Sequence, residues 1–323
     1  MPHRDDARWL AAAARLAARG RPLSRPNPAV GAILVHDGRV VGRGWTQAGG
    51  RPHAEAMALA AAGPLSQGAT LYTTLEPCAH RSARGPSCAN LISESGIARV
   101  VFAERDPDNR TAGRGAARIA QAGITVEQLA SKAARESLAG YLTRAALGRP
   151  HVTLKLAMSL DGCIALPDGS SRWITGEAAR AHVHVQRARA DGILVGGGTW
   201  RADNPRLDVR LAGLEDRSPR RLVLTRGAAP EGITAISAPE EIAALAELQY
   251  LYVEGGAQTA AAFLQADLVD RLDLYRAPVL IGQGLPAISD IGLADLAKAH
   301  GRWRLAERRQ LGSDLYEAYE RQR

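Results

Sequence analysis

Pro52-His53-Ala54-Glu55-Ala56-Met57-Ala58-Leu59-Ala60, then Gly68-Ala69-Thr70-Leu71-Tyr72-Thr73-Thr74-Leu75-Glu76-Pro77-Cys78, and after nine more residues Cys88, form the stretch on which the reading turns. The first run is built of strong helix formers. The second is β-rich and stops at a Pro. A helix would therefore present His53 and Glu55, and the chain beyond a strand would present Cys78 and Cys88. One imidazole and two thiolates supply three of the four ligands of a tetrahedral zinc, and the open fourth position marks a catalytic ion rather than a structural one. Such an ion brings the pKa of its water to about 7. Glu55, two residues past the His, can carry protons between that water and a leaving amine.

His-x-Glu followed by Pro-Cys and a second Cys resembles the signature of zinc-dependent nucleobase deaminases. The usual pair there is Cys-x-x-Cys, so the wide spacing from Cys78 to Cys88 is a departure. His80 lies inside the gap. As a fourth ligand it would close the site and make the zinc structural, which would leave Glu55 without a role.

The 323 residues suggest two domains of ordinary size. Hydrophobic residues make up 46% and aromatics only 4%, so the core is aliphatic. The net charge of +8 suits a phosphorylated small molecule or nucleic acid. It is spread along the chain without a run of like charges, which speaks against a nucleic-acid tail. Arg outnumbers Lys 38 to 3, which singles out Lys132, Lys155 and Lys298. Three Cys make no disulfide framework and point to the cytoplasm. No leader-like apolar segment follows Met1, and no 18-residue apolar stretch suggests a membrane span.

In chain order, Asp6 is an expected N-cap for a helix carrying Trp9, Leu10, Ala13, Leu16 and Ala17. A hairpin turning at Asp37-Gly38 follows, then the helix of His53, the 69–75 strand, and a helix from Cys88 to about Ser95. Strands at 100–103 and 124–126 flank a helix near 114–122. A mixed sheet with helices on both faces fits this order. One helical stretch from Ser131 to Leu147 is stopped by Gly148-Arg149-Pro150, which divides the chain into domains 1–147 and 148–323. In the second domain, strands are expected at 151–157, 191–196, 221–225, 249–253, 272–280 and 314–319. Helices should start after Ser171–Gly176 and at Gln258. Strand, Gly-rich turn and helix recur at Gly196-Gly197-Gly198 and Gly255-Gly256, as in nucleotide-binding α/β domains.

Two sets of residues carry a sharper resemblance. Asn27-Pro28-x-Val30-Gly31, His53-Ala54-Glu55, Leu75-Glu76-Pro77-Cys78-Ala79-His80 and Asp106-Pro107-Asp108 are similar to the deaminase half of the bifunctional deaminase/reductases of riboflavin synthesis. Lys155-Leu156-Ala157, Ser159-Leu160-Asp161-Gly162, Ser171-x-Trp173-Ile174-Thr175, Val195-Gly196-x-Gly198-Thr199, Asp203-Asn204-Pro205 and Val253-Glu254-Gly255-Gly256 are similar to the reductase half. The resemblance covers residues 5 to about 145 and then 150 to 323. It implies an α/β fold class: an N-terminal cytidine-deaminase-like three-layer domain and a C-terminal dihydrofolate-reductase-like domain. It also implies hydrolytic deamination, with zinc, of a diaminopyrimidinone carrying a 5-phosphoribosylamino group, then reduction of the ribosyl chain to ribityl by NADPH.

The resemblance implies roles as well. Glu55, Lys155 and Asp203 would be catalytic or orienting, and His53, Cys78 and Cys88 would hold the metal. Asn27, His80, Arg84, Asp106 and Asp108 would contact the first substrate, with Arg81 competing with Arg84 for the basic position of the longer loop. Ser171, Leu207 and Glu254 would lie at the second substrate, with Arg187 and Arg210 on its phosphate. Ala157, Trp173, Thr199, Asp203, Thr225 and Gly256 would face the dinucleotide. Two departures bear on this. Only 28 residues separate Thr225 from Glu254, shorter than the family's usual segment, so NADPH over NADH rests on the resemblance alone. Cys163 stands where the family often has Lys or Arg, and reads as a buried small hydrophobe. The implied partner is a small phosphorylated pyrimidine, with no nucleic acid and no membrane, and the protein is expected to be a homo-oligomer. The competing readings are a nucleic-acid base deaminase with an appended domain, and a non-catalytic zinc-stabilised module.

Overall fold

In the computed structural model, which describes residues 5–80 and 84–323, the chain divides into two compact units, 1–148 and 149–323. The first unit contains α1 (Asp6–Ala17), β1 (Gly31–His36), β2 (Arg39–Trp45), α2 (Ala54–Ala62), β3 (Thr70–Leu75), α3 (Cys88–Ser93), β4 (Arg99–Glu104), α4 (Arg114–Gln121), β5 (Thr125–Gln128), α5 (Lys132–Ser137) and α6 (Ala139–Leu147). Its sheet has the order β2-β1-β3-β4-β5. β1 is antiparallel to both neighbours, and β3, β4 and β5 are parallel.

Alternation along the strands builds three layers. Ile33, Val35, Tyr72 and Val101 face α1 and α5, and Ala32, Leu34, Leu71 and Val100 face α2, α3 and α4. Glycines let the helices come close. A Cβ on Gly31 would stand 1.9 Å from the Ala13 carbonyl oxygen of α1, and one on Gly44 would stand 2.1 Å from that of Ala54 in α2. Two expectations are corrected. Asp6 is not the N-cap: it lies inside α1, fully buried, and accepts from Tyr72 Oη at 2.8 Å and from both Arg99 terminal nitrogens at 3.0 and 2.8 Å. The single helix over 131–147 is two helices that meet at Leu138, whose apolar side chain is buried under the sheet's helical layer while Ser131 caps the first by accepting from Ala134 N–H.

The second unit contains β6 (His151–Met158), β7 (Cys163–Ala165), α7 (Glu177–Arg187), β8 (Gly192–Gly196), α8 (Gly197–Asp203), β9 (Arg220–Leu224), β10 (Thr234–Ile236), β11 (Tyr250–Val253), α9 (Ala257–Gln265), β12 (Arg271–Arg276), β13 (Leu285–Pro286), β14 (Trp303–Leu311) and β15 (Asp314–Arg321). Eight strands lie in the order β10-β9-β8-β11-β6-β12-β15-β14. β10 through β12 in that order are parallel, and the last two pairings are antiparallel. Val152, Leu154, Leu251, Val253 and Phe263 of α9 form one face's core, and Tyr252, Tyr275 and Tyr316 pack under α7 on the other. The strand expected over 272–280 stops at Arg276, just short of Pro278, which has no N–H for a ladder. β14, an edge strand with three Arg and one Glu among its nine residues, alternates apolar residues only at Trp303 and Leu305 and was not read as a strand. Cys163 is buried and free, as expected. Among the described residues, no helix is long and apolar enough to cross a membrane.

Candidate active sites

His53 occupies the N-cap position of α2, and Cys88 is the first residue of α3. His53 Nδ1 lies 3.5 Å from Cys78 Sγ and 3.3 Å from Cys88 Sγ, and Cys88 N–H donates to Cys78 Sγ at 3.2 Å. The three ligand atoms lie within 4.8 Å of one another, a soft donor set that fits zinc. The hydrogen bond from the Cys88 thiol lowers the pKa of Cys78 and raises that of Cys88. His80 is not in this cluster. Its Nδ1 lies 3.4 Å from Thr111 Oγ1, which removes the fourth-ligand alternative.

The Pro77-Cys78 turn is held from behind. Glu76 accepts from Gly113 N–H at 3.0 Å and Ala116 N–H at 3.2 Å, capping the start of α4. Gly115 allows that helix to come close, because a Cβ there would meet the Pro77 carbonyl oxygen at 1.9 Å. Asn27 plays a part the sequence did not show. It donates to the Gly50 carbonyl at 2.9 Å and lies 3.2 Å from His53 Nε2, steadying the ring's far side.

His53 and Cys78 open on a cavity of about 280 Å³, with Cys88 buried behind them. Asn27, Glu55, His80, Asp106 and Asp108 line it, together with Glu76, Arg110 and Tyr141. Glu55 is 3% exposed, and burial pushes its carboxyl up to about 7. Asp106 accepts from Tyr141 Oη at 2.6 Å and from Asp108 N–H at 3.0 Å, and burial raises its pKa. Tyr141 was legible only as a helical apolar position, since nothing local shows where its hydroxyl ends. Arg84 does not line the cavity, because its Nη1 donates to the Gly49 carbonyl at 2.7 Å. Arg81 lies outside the described residues.

In the second unit, β11 ends next to β6, and the register brings Glu254 beside Lys155. Lys155 Nζ is 3.8 Å from Glu254 Oε2, and Arg187 of α7 grips the same carboxylate at 2.6 and 3.0 Å. Burial pushes Lys155 below the usual lysine range. Burial works against the Glu254 carboxylate too, yet Arg187 and Lys155 hold it down. Arg187 is thereby committed to Glu254 and to the Asp208 carbonyl at 3.0 Å, instead of standing open for a phosphate. Arg210 is exposed, 3.7 Å from Asp208 and 3.4 Å from His184 Nε2. Leu207 is 3% exposed, packed with Ile193, Val195 and Trp200.

The two Gly-rich turns meet. A Cβ on Gly196 would stand 2.2 Å from Thr259 Oγ1, and one on Gly255 would stand 2.3 Å from Thr259 Cβ. Gly197 faces Thr225 Oγ1 at 3.0 Å and Gly256 faces Thr199 Oγ1 at 3.6 Å, both measured to the missing Cβ. Thr199, Thr225 and Gly256 thus lie about the two glycine turns, with Gly256 just before α9. Asp203 closes α8 and lies 3.7 Å from Arg172. Ser171 and Trp173 are exposed beyond it, and Ala157 is half-buried on β6 opposite Tyr275.

Residues 3–104 match the family described as the cytidine and deoxycytidylate deaminase zinc-binding region, and residues 150–316 match the RibD C-terminal domain. The chain is 40% identical over 307 residues to the riboflavin biosynthesis protein RibD of Mycobacterium tuberculosis, covering 90% of each. It is 36% identical over 361 residues to that of Escherichia coli K12, covering 96% of this chain and 98% of the other. The chain belongs to the RibD family. Solved RibD-family structures agree. Acinetobacter baumannii RibD superposes with a TM-score of 0.86 at 33% identity, over 99% of both chains. A diaminohydroxyphosphoribosylaminopyrimidine deaminase/5-amino-6-(5-phosphoribosylamino)uracil reductase from Thermotoga maritima gives 0.86 at 29% identity, over 98% of this chain and 99% of that one. As a RibD-family member, the chain is a bifunctional enzyme of riboflavin biosynthesis, a zinc-binding deaminase joined to a reductase that uses NADPH. The expected pair of folds, deaminase-like and then dihydrofolate-reductase-like, is the one present.

Proposed function

We propose that residues 1–147 deaminate a diaminopyrimidinone bearing a 5-phosphoribosylamino group and that residues 148–323 reduce its ribosyl chain to ribityl. The observation that carries this is the joint position of His53, Cys78 and Cys88 with a buried Glu55 at the floor of a cavity lined by Asn27 and Asp106. His53, Cys78 and Cys88 would hold a zinc ion, which would supply a water of lowered pKa. Glu55 takes a proton at its carboxylate and returns it to the departing amine nitrogen, so that water in and ammonia out balance. Asp106, fixed by Tyr141, accepts from the base edge, and Asp108 and His80 bound the sugar side.

In the reductase, the glycine turns at Gly196–Gly198 and Gly255–Gly256 would hold NADPH, which would supply the hydride for C1′ of the opened sugar. Lys155, dry and paired with Glu254, donates the accompanying proton, and Glu254 holds it in place with Arg187 behind. Asp203 orients groups at the outer edge of the glycine turns, with Trp173 and Thr199 beside the dinucleotide. Arg210, beside Asp208 and His184, is left as the cation for the second substrate's phosphate. The enzyme works as a homo-oligomer in the cytoplasm, on a small molecule rather than nucleic acid, and its free cysteines suit a reducing compartment.

The test follows ammonia and NADPH together in zinc-loaded protein. Glu55→Gln is expected to keep its zinc and to lose about 10²–10⁴-fold in ammonia release. It should still oxidise NADPH when given the already deaminated substrate. Ammonia release at the wild-type rate by Glu55→Gln would refute the assignment.

A further inference from the structure

The deaminase cavity is strongly acidic for an anionic substrate. Among the described residues, its lining contains the carboxylates Glu55, Glu76, Asp106 and Asp108, and the only guanidinium or ammonium there is Arg110. Arg84, the residue that the sequence favoured for an anion, is turned to the Gly49 carbonyl and is absent from the lining. Arg110, in contrast, is aimed. Its backbone N–H donates to Asp108 Oδ1 at 2.9 Å, and its Nε and Nη2 grip the same carboxylate at 2.9 and 2.5 Å. Asp108 is itself held by a turn, since its own N–H donates to Asp106 Oδ1 at 3.0 Å and its carbonyl accepts from Thr111 N–H at 2.8 Å. One short turn therefore carries a carboxylate inside the cavity and an oriented cation at its mouth.

We propose that Arg110 is the phosphate-recognising residue of the deaminase half, with Asp108 as the bracket that orients it. The inference rests on the phosphorylated substrate proposed above. Asp108 uses the Nε edge of the fork and leaves the Nη1 side available to a second oxyanion. A guanidinium already fixed by a carboxylate loses little further freedom on binding. Its side chain is 69% exposed, so the phosphate stays partly hydrated and the contribution is that of a rim contact.

The experiment measures ammonia release by the zinc-loaded full chain on the phosphorylated substrate and on its dephosphorylated form. The variants are Arg110→Gln, Arg110→Lys and Arg84→Gln, each checked for unchanged zinc content. Arg110→Gln is expected to raise KM for the phosphorylated substrate about threefold to tenfold with kcat within about twofold, and to leave KM for the dephosphorylated one unchanged. Arg110→Lys should restore part of the discrimination, and Arg84→Gln should keep all of it. Full preference for the phosphorylated form in Arg110→Gln overturns the proposal, as does loss of preference in Arg84→Gln alone. A wild-type enzyme indifferent to the phosphate overturns the substrate reading itself, a result distinct from failure of the variant.

Discussion

Arg149 and Asp270 show how much rides on single side chains here. Both are buried, and Asp270 accepts from Arg149 at 2.7 and 2.9 Å, from Val152 N–H at 2.8 Å and from Arg323 at 2.7 Å. Asp270→Ala leaves a buried guanidinium uncompensated and is expected to destabilise the second unit by about 3–5 kcal/mol. Replacing the pair together, Arg149→Met with Asp270→Leu, should cost far less. Denaturant midpoints followed through NADPH oxidation check both, and equal losses in the single and double variants would contradict the argument. At this scale the sequence was legible where a residue type has one chemistry. His53, Cys78, Cys88 and Glu55 could be named because few other side chains bind zinc or shuttle protons. The contacts of Arg84, Arg187 and Leu207 were not legible because their partners, Gly49, Glu254 and the Ile193 cluster, are assembled only by the fold. In a chain with 38 arginines, no arginine announces which anion it meets.

Helices and strands were easier to read than their contacts. Apolar spacing located α1, helix formers located α2 and a β-rich run located β3, but β14 is an exposed edge and was not read. The close approach of α2 to β2 was invisible, since a glycine in a strand does not say what lies above it. Gly44→Ala would push α2 outward by overpacking, at about 1–3 kcal/mol. As α2 carries His53 and Glu55, bound zinc per chain and ammonia release should both fall while reduction of the deaminated substrate is kept. Full zinc stoichiometry in Gly44→Ala would sink this. α7 makes a second prediction. His182 Nδ1 lies 2.9 Å from Tyr275 Oη, with the Tyr316 ring against it and Arg309 and Glu307 of β14 nearby. Burial first, then Arg309, lowers its pKa from 6.5 to about 4. The folded state thus binds this proton less readily than the unfolded chain. Stability from this group is complete above pH 6.5 and is lost as pH falls towards about 4. His182→Gln should flatten the midpoint-versus-pH curve in that window, and an unchanged slope would exclude the effect.

Taken whole, the molecule has two units with separate apolar cores and different ligands. Each should respond to its own ligand by mass action. Removing zinc with a chelator is expected to lower the unfolding temperature of one calorimetric transition. Saturating NADPH, at about 100 times its Kd, should raise the other by about 2.7 kcal/mol of linkage. A single transition moved by both would show that the units unfold as one. The order of the two chemistries along the chain was legible because motifs of both halves stand in the sequence, whereas no pattern of residues encodes the bracket around Asp270. That bracket has a practical corollary for anyone dividing the gene. Gly148 finishes α6 in a left-handed cap at φ +67°, while Arg149 is already fastened to Asp270. A cut between these two residues gives each polypeptide its own last or first anchor, whereas a cut two residues later would strand Arg149 on the wrong partner and deprive the reductase of its opening rivet.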